Sequence, residues 1–180
     1  MKIIINEDNL SKNKIKEYNE KERAILLNKK KELLVVNYGG TYLLPGDKID
    51  HNEEIIDGLL RELEEETGTH YNDKELNYLC TIEYFQKNYP KRNNETLNRL
   101  ITTHCYIGEY KGISLNKIKL TEKEQKGNFK LELIPLNKIE NIIIESKNNN
   151  PRNIYFKKEL LTIINMYKNS KYKEKAQVKE

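Results

Sequence analysis

The sequence predicts a mixed α/β (α+β) domain in which helices pack on a largely β core. Short apolar runs with strand character recur along the chain. Two segments place apolar residues at helical spacing, and the order strands, helix, strands, helix shows no internal repeat. A length of 180 residues suits one domain better than two. A domain of this size buries roughly 70% of its unfolded surface and needs no disulfide or structural metal to fold. The expected boundaries are a single domain over residues 1–168 and a charged, flexible tail over 169–180.

Met1 to Ile5 reads as a short strand. Ala24 to Leu27 and Leu33 to Asn37 are apolar runs separated by Asn28-Lys29-Lys30-Lys31, the pattern of a hairpin with a polar turn. Tyr38-Gly39-Gly40-Thr41 signals a second turn, and Pro45-Gly46 breaks the run Tyr42-Leu43-Leu44. Glu54 to Thr67 is the clearest helix, with Ile56, Leu59, Leu60 and Leu63 on one stripe and Gly68 as its stop. Strand-like runs at Leu76–Phe85 and Leu100–Tyr110 flank a polar loop, Gln86–Asn98. Phe129 to Pro135 alternates apolar and polar residues as a half-buried strand does. Tyr155 to Tyr167 returns to helical spacing through Phe156, Leu160, Ile163, Ile164 and Tyr167.

The formal net charge is +4, and much of the excess lies in the C-terminal lysines 168, 171, 173, 175 and 179. The body is near neutral, so no dense basic face for nucleic acid is expected. Cys80 and Cys105 sit in strand-like surroundings without metal-ligand spacing, as buried thiols of a reducing compartment do. No apolar stretch has the length of a signal peptide or a membrane span. The expectation is a soluble, cytoplasmic protein with no membrane partner.

The polar side of the first long helix carries the chemistry. Glu62, Glu65 and Glu66 stand at i, i+3 and i+4, on a face separate from the apolar stripe. Like charges at these spacings repel, and the helix macrodipole disfavours them near a C-terminus. A divalent cation such as Mg²⁺, which takes oxygen ligands shared between carboxylates and phosphates, would relieve both penalties. A solvated acidic face is the plainer reading of three glutamates taken alone.

The preceding loop adds weight to the cation. Gly46-Asp47 leads to Glu53, and after seven residues comes Arg61-Glu62-Leu63-Glu64-Glu65-Glu66-Thr67-Gly68. This segment, residues 47–69, resembles the Nudix box: G, five residues, E, seven residues, then R-E-U-x-E-E-x-G-U, with U a bulky aliphatic. Two positions depart from it, Asp47 at the first Gly and Thr69 at the last aliphatic. Glu122-Lys123-Glu124 through Phe129 to Pro135-Leu136 also resembles a later segment of that family.

The resemblance implies a Nudix-like mixed β-sheet sandwiched between helices, and a Nudix hydrolase. The implied reaction is Mg²⁺- or Mn²⁺-dependent cleavage of a small nucleoside diphosphate derivative: a nucleotide sugar, ADP-ribose or a (d)NTP. A metal-activated water attacks phosphorus. Glu62, Glu65 and Glu66 would hold the metal with a backbone carbonyl at Gly46. Glu53 would supplement the site, Arg61 would fix a glutamate, and Glu65 or Glu124 would serve as base, with Glu122 behind Glu124. Tyr42 and Tyr84 are candidates for stacking a base and Arg92 for meeting phosphate; Tyr38, Phe85, Tyr89 and Arg99 are weaker candidates for the same roles. A homodimer is compatible with the family but not demanded. The alternative is a non-catalytic module that binds a nucleotide or a partner, suggested by Asp47 and Thr69.

Overall fold

The computed structural model describes residues 1–172 except Arg92 and Asn94, and at Lys123 and Glu124 it describes the backbone only. The strands are β1 (Lys2–Ile5), β2 (Glu17–Leu27), β3 (Glu32–Tyr38), β4 (Thr41–Leu43), β5 (Asn77–Pro90), β6 (Thr96–Glu109) and β7 (Phe129–Pro135). The helices are α1 (Ile55–Thr67), the short α2 (Glu122–Lys126), α3 (Ile139–Glu145) and α4 (Asn153–Lys168). The sheet is mixed, in the order β1-β5-β6-β2-β3-β4, with β7 on the other side of β3. Strand β2 runs parallel to β6 over its whole length but meets β3 at a single pair, Leu27 and Leu33. The sheet therefore splits at this hairpin into a β1-β5-β6-β2 part and a β4-β3-β7 part.

Alternation along β2 sorts the two faces. Ala24 and Leu26 pack with Leu34, Leu59, Leu63 and Tyr71 beneath α1. Ile25 packs with Leu33, Val35, Ile139, Ile143, Leu160 and Ile163 beneath α3 and α4. The expected sandwich of a mixed sheet between helices is present. Among the described residues no helix is long and apolar enough to cross a membrane.

Helix α1 begins one residue after its sequence-predicted start and ends where Gly68 takes the left-handed conformation (φ 68°), its N–H donating to the Glu64 carbonyl at 2.9 Å. A Cβ at Gly68 would lie 2.2 Å from the Ser114 carbonyl oxygen, so this position requires glycine.

Three expectations are corrected. The polar loop at Gln86–Asn98 is mostly strand: β5 reaches Pro90 and β6 starts at Thr96. Buried Arg99 donates from Nε to Gln86 Oε1 at 2.6 Å, so two polar residues satisfy each other inside the sheet. Strand β2 begins seven residues before Ala24, because Lys21, Glu22 and Arg23 are buried within it. The segment Ile139–Glu145, which sequence reasoning left without structure, is helical and buries Ile139 and Ile143. After α4, Tyr172 still packs against the core and its hydroxyl donates to the Tyr78 carbonyl; residues 173–180 of the expected tail lie outside the described residues.

Candidate active site

A cavity of about 770 Å³ opens where the two parts of the sheet diverge. One wall carries Gly46, Asp47, Glu62, Glu65 and Glu66. Its cationic wall is formed by Lys21, Arg23, Arg99 and Arg152, with Arg23 3.9 Å from Asp47 of the acidic one. Tyr89 and Phe156 also border it, as do Thr121 and Gly127 at the two ends of the α2 segment.

The loop into α1 is tied to β2. Ala24 N–H donates to the Pro45 carbonyl at 3.0 Å and Glu22 N–H to the Asp47 carbonyl at 3.1 Å. Gly46 between them has φ 114°, and a Cβ there would lie 2.3 Å from the Glu22 carbonyl oxygen. Gly46 is thus the indispensable glycine of this turn. Asp47 has no positive φ, and its side chain is 60% exposed, 3.9 Å from the Arg23 guanidinium. Asp47 therefore needs no left-handed backbone here.

The three glutamates of α1 are not one solvated face. Glu66 is buried and accepts a 2.9 Å hydrogen bond from Gly46 N–H. Glu62 is mostly buried and accepts a hydrogen bond from Arg61 Nη1. Only Glu65 retains substantial exposure, 3.7 Å from Arg61. Burial raises the Glu62 pKa, with Arg61 working against the rise and Asp47 and Glu65 adding to it.

Arg61 lies behind this wall. It donates from Nε to Glu53 Oε1 and from Nη2 to Glu53 Oε2, both at 3.0 Å, a bidentate clamp. That clamp holds the Glu53 carboxyl below its usual range. Neither Glu53 nor Arg61 lines the cavity.

The structure does not bring Tyr42 and Tyr84 to the cavity. Tyr42 packs against the core beside α4, and Tyr84 is buried in that core with its ring 6.1 Å from Tyr155. Arg92 and the Glu124 side chain lie outside the described residues. Glu122 is exposed and paired with Lys126.

Sequence reasoning missed the cationic wall. Lys21 and Arg23 are buried against Glu159 of α4: Lys21 Nζ lies 3.2 Å from its carboxylate, and Thr103 donates to the same group. Desolvation lowers the Lys21 pKa, and Glu159 opposes the change. Desolvation also works against the Arg23 charge, but Asp47, Glu159, Glu66 and Glu22 outweigh it and raise the pKa. The Arg99 guanidinium sits 3.1 Å from the Tyr89 ring centroid, and that of Arg152 5.7 Å from the same ring. Arg99 was weighed for phosphate, but the spacing of Lys21, Arg23 and Arg152 carries no local signal, because their partners are distant in sequence.

It also missed Glu22, which is fully buried with neither carboxylate oxygen hydrogen-bonded. Burial pushes its pKa up to about 7; Arg23 and the nearby Asp47 amide ease the charge, while Glu62 and the Asp47 carboxylate aggravate it.

All these groups on the acidic wall are hard oxygen donors, which fits a divalent cation. Behind it, the Glu22 carboxylate has no hydrogen-bond partner and lies near Gly58 of α1. Among the described residues no three acidic, His or Cys side chains are placed to hold a metal ion; Arg61 engages Glu62 and the Gly46 amide engages Glu66.

The family model for the NUDIX domain matches residues 18–155. No curated protein sequence matches the chain. Among solved structures, a MutT protein from Methanosarcina mazei Go1 is similar with TM-score 0.54 and 18% identity, over 86% of this chain and 98% of that one. A NUDIX hydrolase from Nitrosomonas europaea gives 0.53 and 14%, over 81% and 90%. A MutT NUDIX hydrolase from Burkholderia pseudomallei gives 0.51 and 14%, over 81% and 99%. Identities this low speak for the fold, while the family match spans most of the chain and contains the whole acidic wall. This chain belongs to the NUDIX domain family and is a Nudix hydrolase.

Proposed function

We propose that the protein is a Mg²⁺- or Mn²⁺-dependent pyrophosphohydrolase that cleaves a small nucleoside diphosphate derivative. The observation that carries this reading is the cavity itself: acids of α1 and its preceding loop line it together with the cations Lys21, Arg23, Arg99 and Arg152. A diphosphate with its metal is the ligand that satisfies both. In this reading Glu62, Glu65, Glu66 and the Gly46 carbonyl hold the cation. When bound, the cation neutralises the diphosphate and lowers the pKa of the attacking water.

The remaining work falls to the chain's own residues. Arg61 keeps Glu53 and Glu62 in place. Arg23 and Lys21, braced by Glu159, give the anion a fixed positive floor. Arg99 and Arg152, stacked about Tyr89, stand ready for the distal end of the substrate. Glu65, or Glu124 from the α2 segment that borders the cavity, takes the proton of the water. Residues 1–168 form the working domain, and the buried free thiols of Cys80 and Cys105 suit a cytoplasmic setting.

The test is a panel of nucleotide sugars, ADP-ribose, other dinucleotides and (d)NTPs incubated with Mg²⁺, with the products identified. Metal-dependent release of a nucleoside monophosphate from one class supports the reading. No release across the panel, with the metal or without it, would sink it.

A further inference from the structure

We infer that Glu22 is an oxygen ligand of the divalent cation that Glu62 helps to hold, so that the metal site extends from α1 onto strand β2. The inference rests on the metal-dependent reading above.

Glu22 shares its strand face with Ala24 and Leu26, which pack beneath α1 among Leu59 and Leu63. Such a position ordinarily takes an apolar residue. Here it holds a fully buried carboxylate with both oxygens unpartnered. A buried carboxylate without a partner costs several kcal/mol, so the carboxylate points to a ligand.

Its surroundings indicate which ligand. A Cβ built on Gly58 would lie 3.6 Å from Glu22 Oε1 and 3.0 Å from Glu53 Oε2. Both carboxylates therefore approach the same spot on α1, and the missing side chain of Gly58 makes room for them. Glu62 stands one turn further along the same helix face, and its charge and that of Asp47 bear on Glu22. Of the neighbouring cations, Arg61 is committed to Glu53 and Glu62. Arg23 eases the Glu22 charge from the opposite strand face, but there it is shared with Asp47 and Glu159. Acidic groups thus gather at the β2 side of α1 in excess of the cations that reach them. A divalent ion answers that deficit with the oxygen coordination it prefers.

The test is a titration of Mn²⁺ alone, followed by electron paramagnetic resonance and by the metal-induced rise in Tm, on the wild type, Glu22→Gln and Glu62→Gln. Glu22→Gln should weaken Mn²⁺ binding by roughly 10- to 100-fold and shrink the Tm rise, while its metal-free Tm equals or exceeds that of the wild type. Wild-type Mn²⁺ affinity in Glu22→Gln, with binding weakened in Glu62→Gln, would overturn the assignment of Glu22 and leave the metal reading standing. No Mn²⁺ binding by the wild type would overturn both. Should Glu22→Gln fail to fold, Glu22→Ala takes its place with the same expectation. Failure of both to fold without metal would assign the carboxylate to the fold and overturn the inference.

Discussion

The Gly46 amide donates to the Glu66 carboxylate at 2.9 Å, joining the turn before α1 to the helix's last exposed-looking acid, which is in fact buried. The glycine and the glutamate are 20 residues apart, and each explains the other. Gly46 can adopt φ 114° against the Glu22 carbonyl only because it has no side chain. In that conformation its N–H points at Glu66.

Glu66→Gln therefore separates fold from chemistry. The glutamine carbonyl can still accept from Gly46, so Tm should change little. Turnover should fall by about a hundredfold or more, since a lost charge contact with a catalytic metal removes several kcal/mol of stabilisation. Steady-state kcat alongside a thermal melt checks both halves; near-normal kcat would show that the metal is held elsewhere.

Gly46→Ala and Gly39→Ala should differ sharply. Both glycines have positive φ, but a Cβ at Gly39 meets nothing within 4 Å, whereas one at Gly46 meets backbone at 2.3 Å. Gly39→Ala should cost about 1 kcal/mol for the left-handed backbone. Gly46→Ala should exceed the roughly 1–3 kcal/mol of strain alone and also lower kcat. Denaturant melts of the two variants side by side test this.

Glu159→Gln should be among the most destabilising changes on the cationic wall. It leaves buried Lys21 without its 3.2 Å partner, and breaking such a pair costs about 3–5 kcal/mol. Burial alone would raise the Glu159 pKa, but Lys21, Arg23 and Thr103 outweigh it and hold it below its usual value. The Glu159 contribution is thus fully present above the ordinary carboxylate pKa and is lost as pH falls through the lowered one. The gap in stability between wild type and Glu159→Gln should narrow on acidification below about pH 4. A constant gap would mean that the carboxylate's charge does not stabilise the fold.

Arg99→Ala and Arg152→Ala should raise KM more than they lower kcat, because both line the cavity but neither belongs to the acidic group on α1. A rise of roughly tenfold corresponds to one lost charged hydrogen bond of about 1.5 kcal/mol. Arg61→Lys should act oppositely, lowering kcat through the loosened Glu53 and Glu62 while KM stays near wild type.

Much of this was legible in the sequence where the signal is local. The stripe Ile56–Leu63 and the stop at Gly68 located α1 to within a residue, and the alternation of Phe129–Pro135 gave β7 end to end. The acidic wall was legible because its residues fall within one loop and one helix. The cationic wall was not, because Lys21 is a buried strand residue only by virtue of Glu159, 138 positions away. The same holds for Gln86 and Arg99, whose polarity reads as loop until each is seen to satisfy the other. Tyr42 and Tyr84 were chosen for their rings, and burial in the core used those rings for packing.

The single-pair contact between β2 and β3 at Leu27 and Leu33 lets the sheet open beside the cavity, whose lining has two inheritances. The acids of its lining come from one contiguous stretch of chain, whereas the cations are contributed by β2, β6 and the residue before α4. In the proposed reading, drift at Arg99 or Arg152 retunes which molecules enter while the acids stay as they are. Relatives of this chain would then be expected to share their acids and to differ in diet.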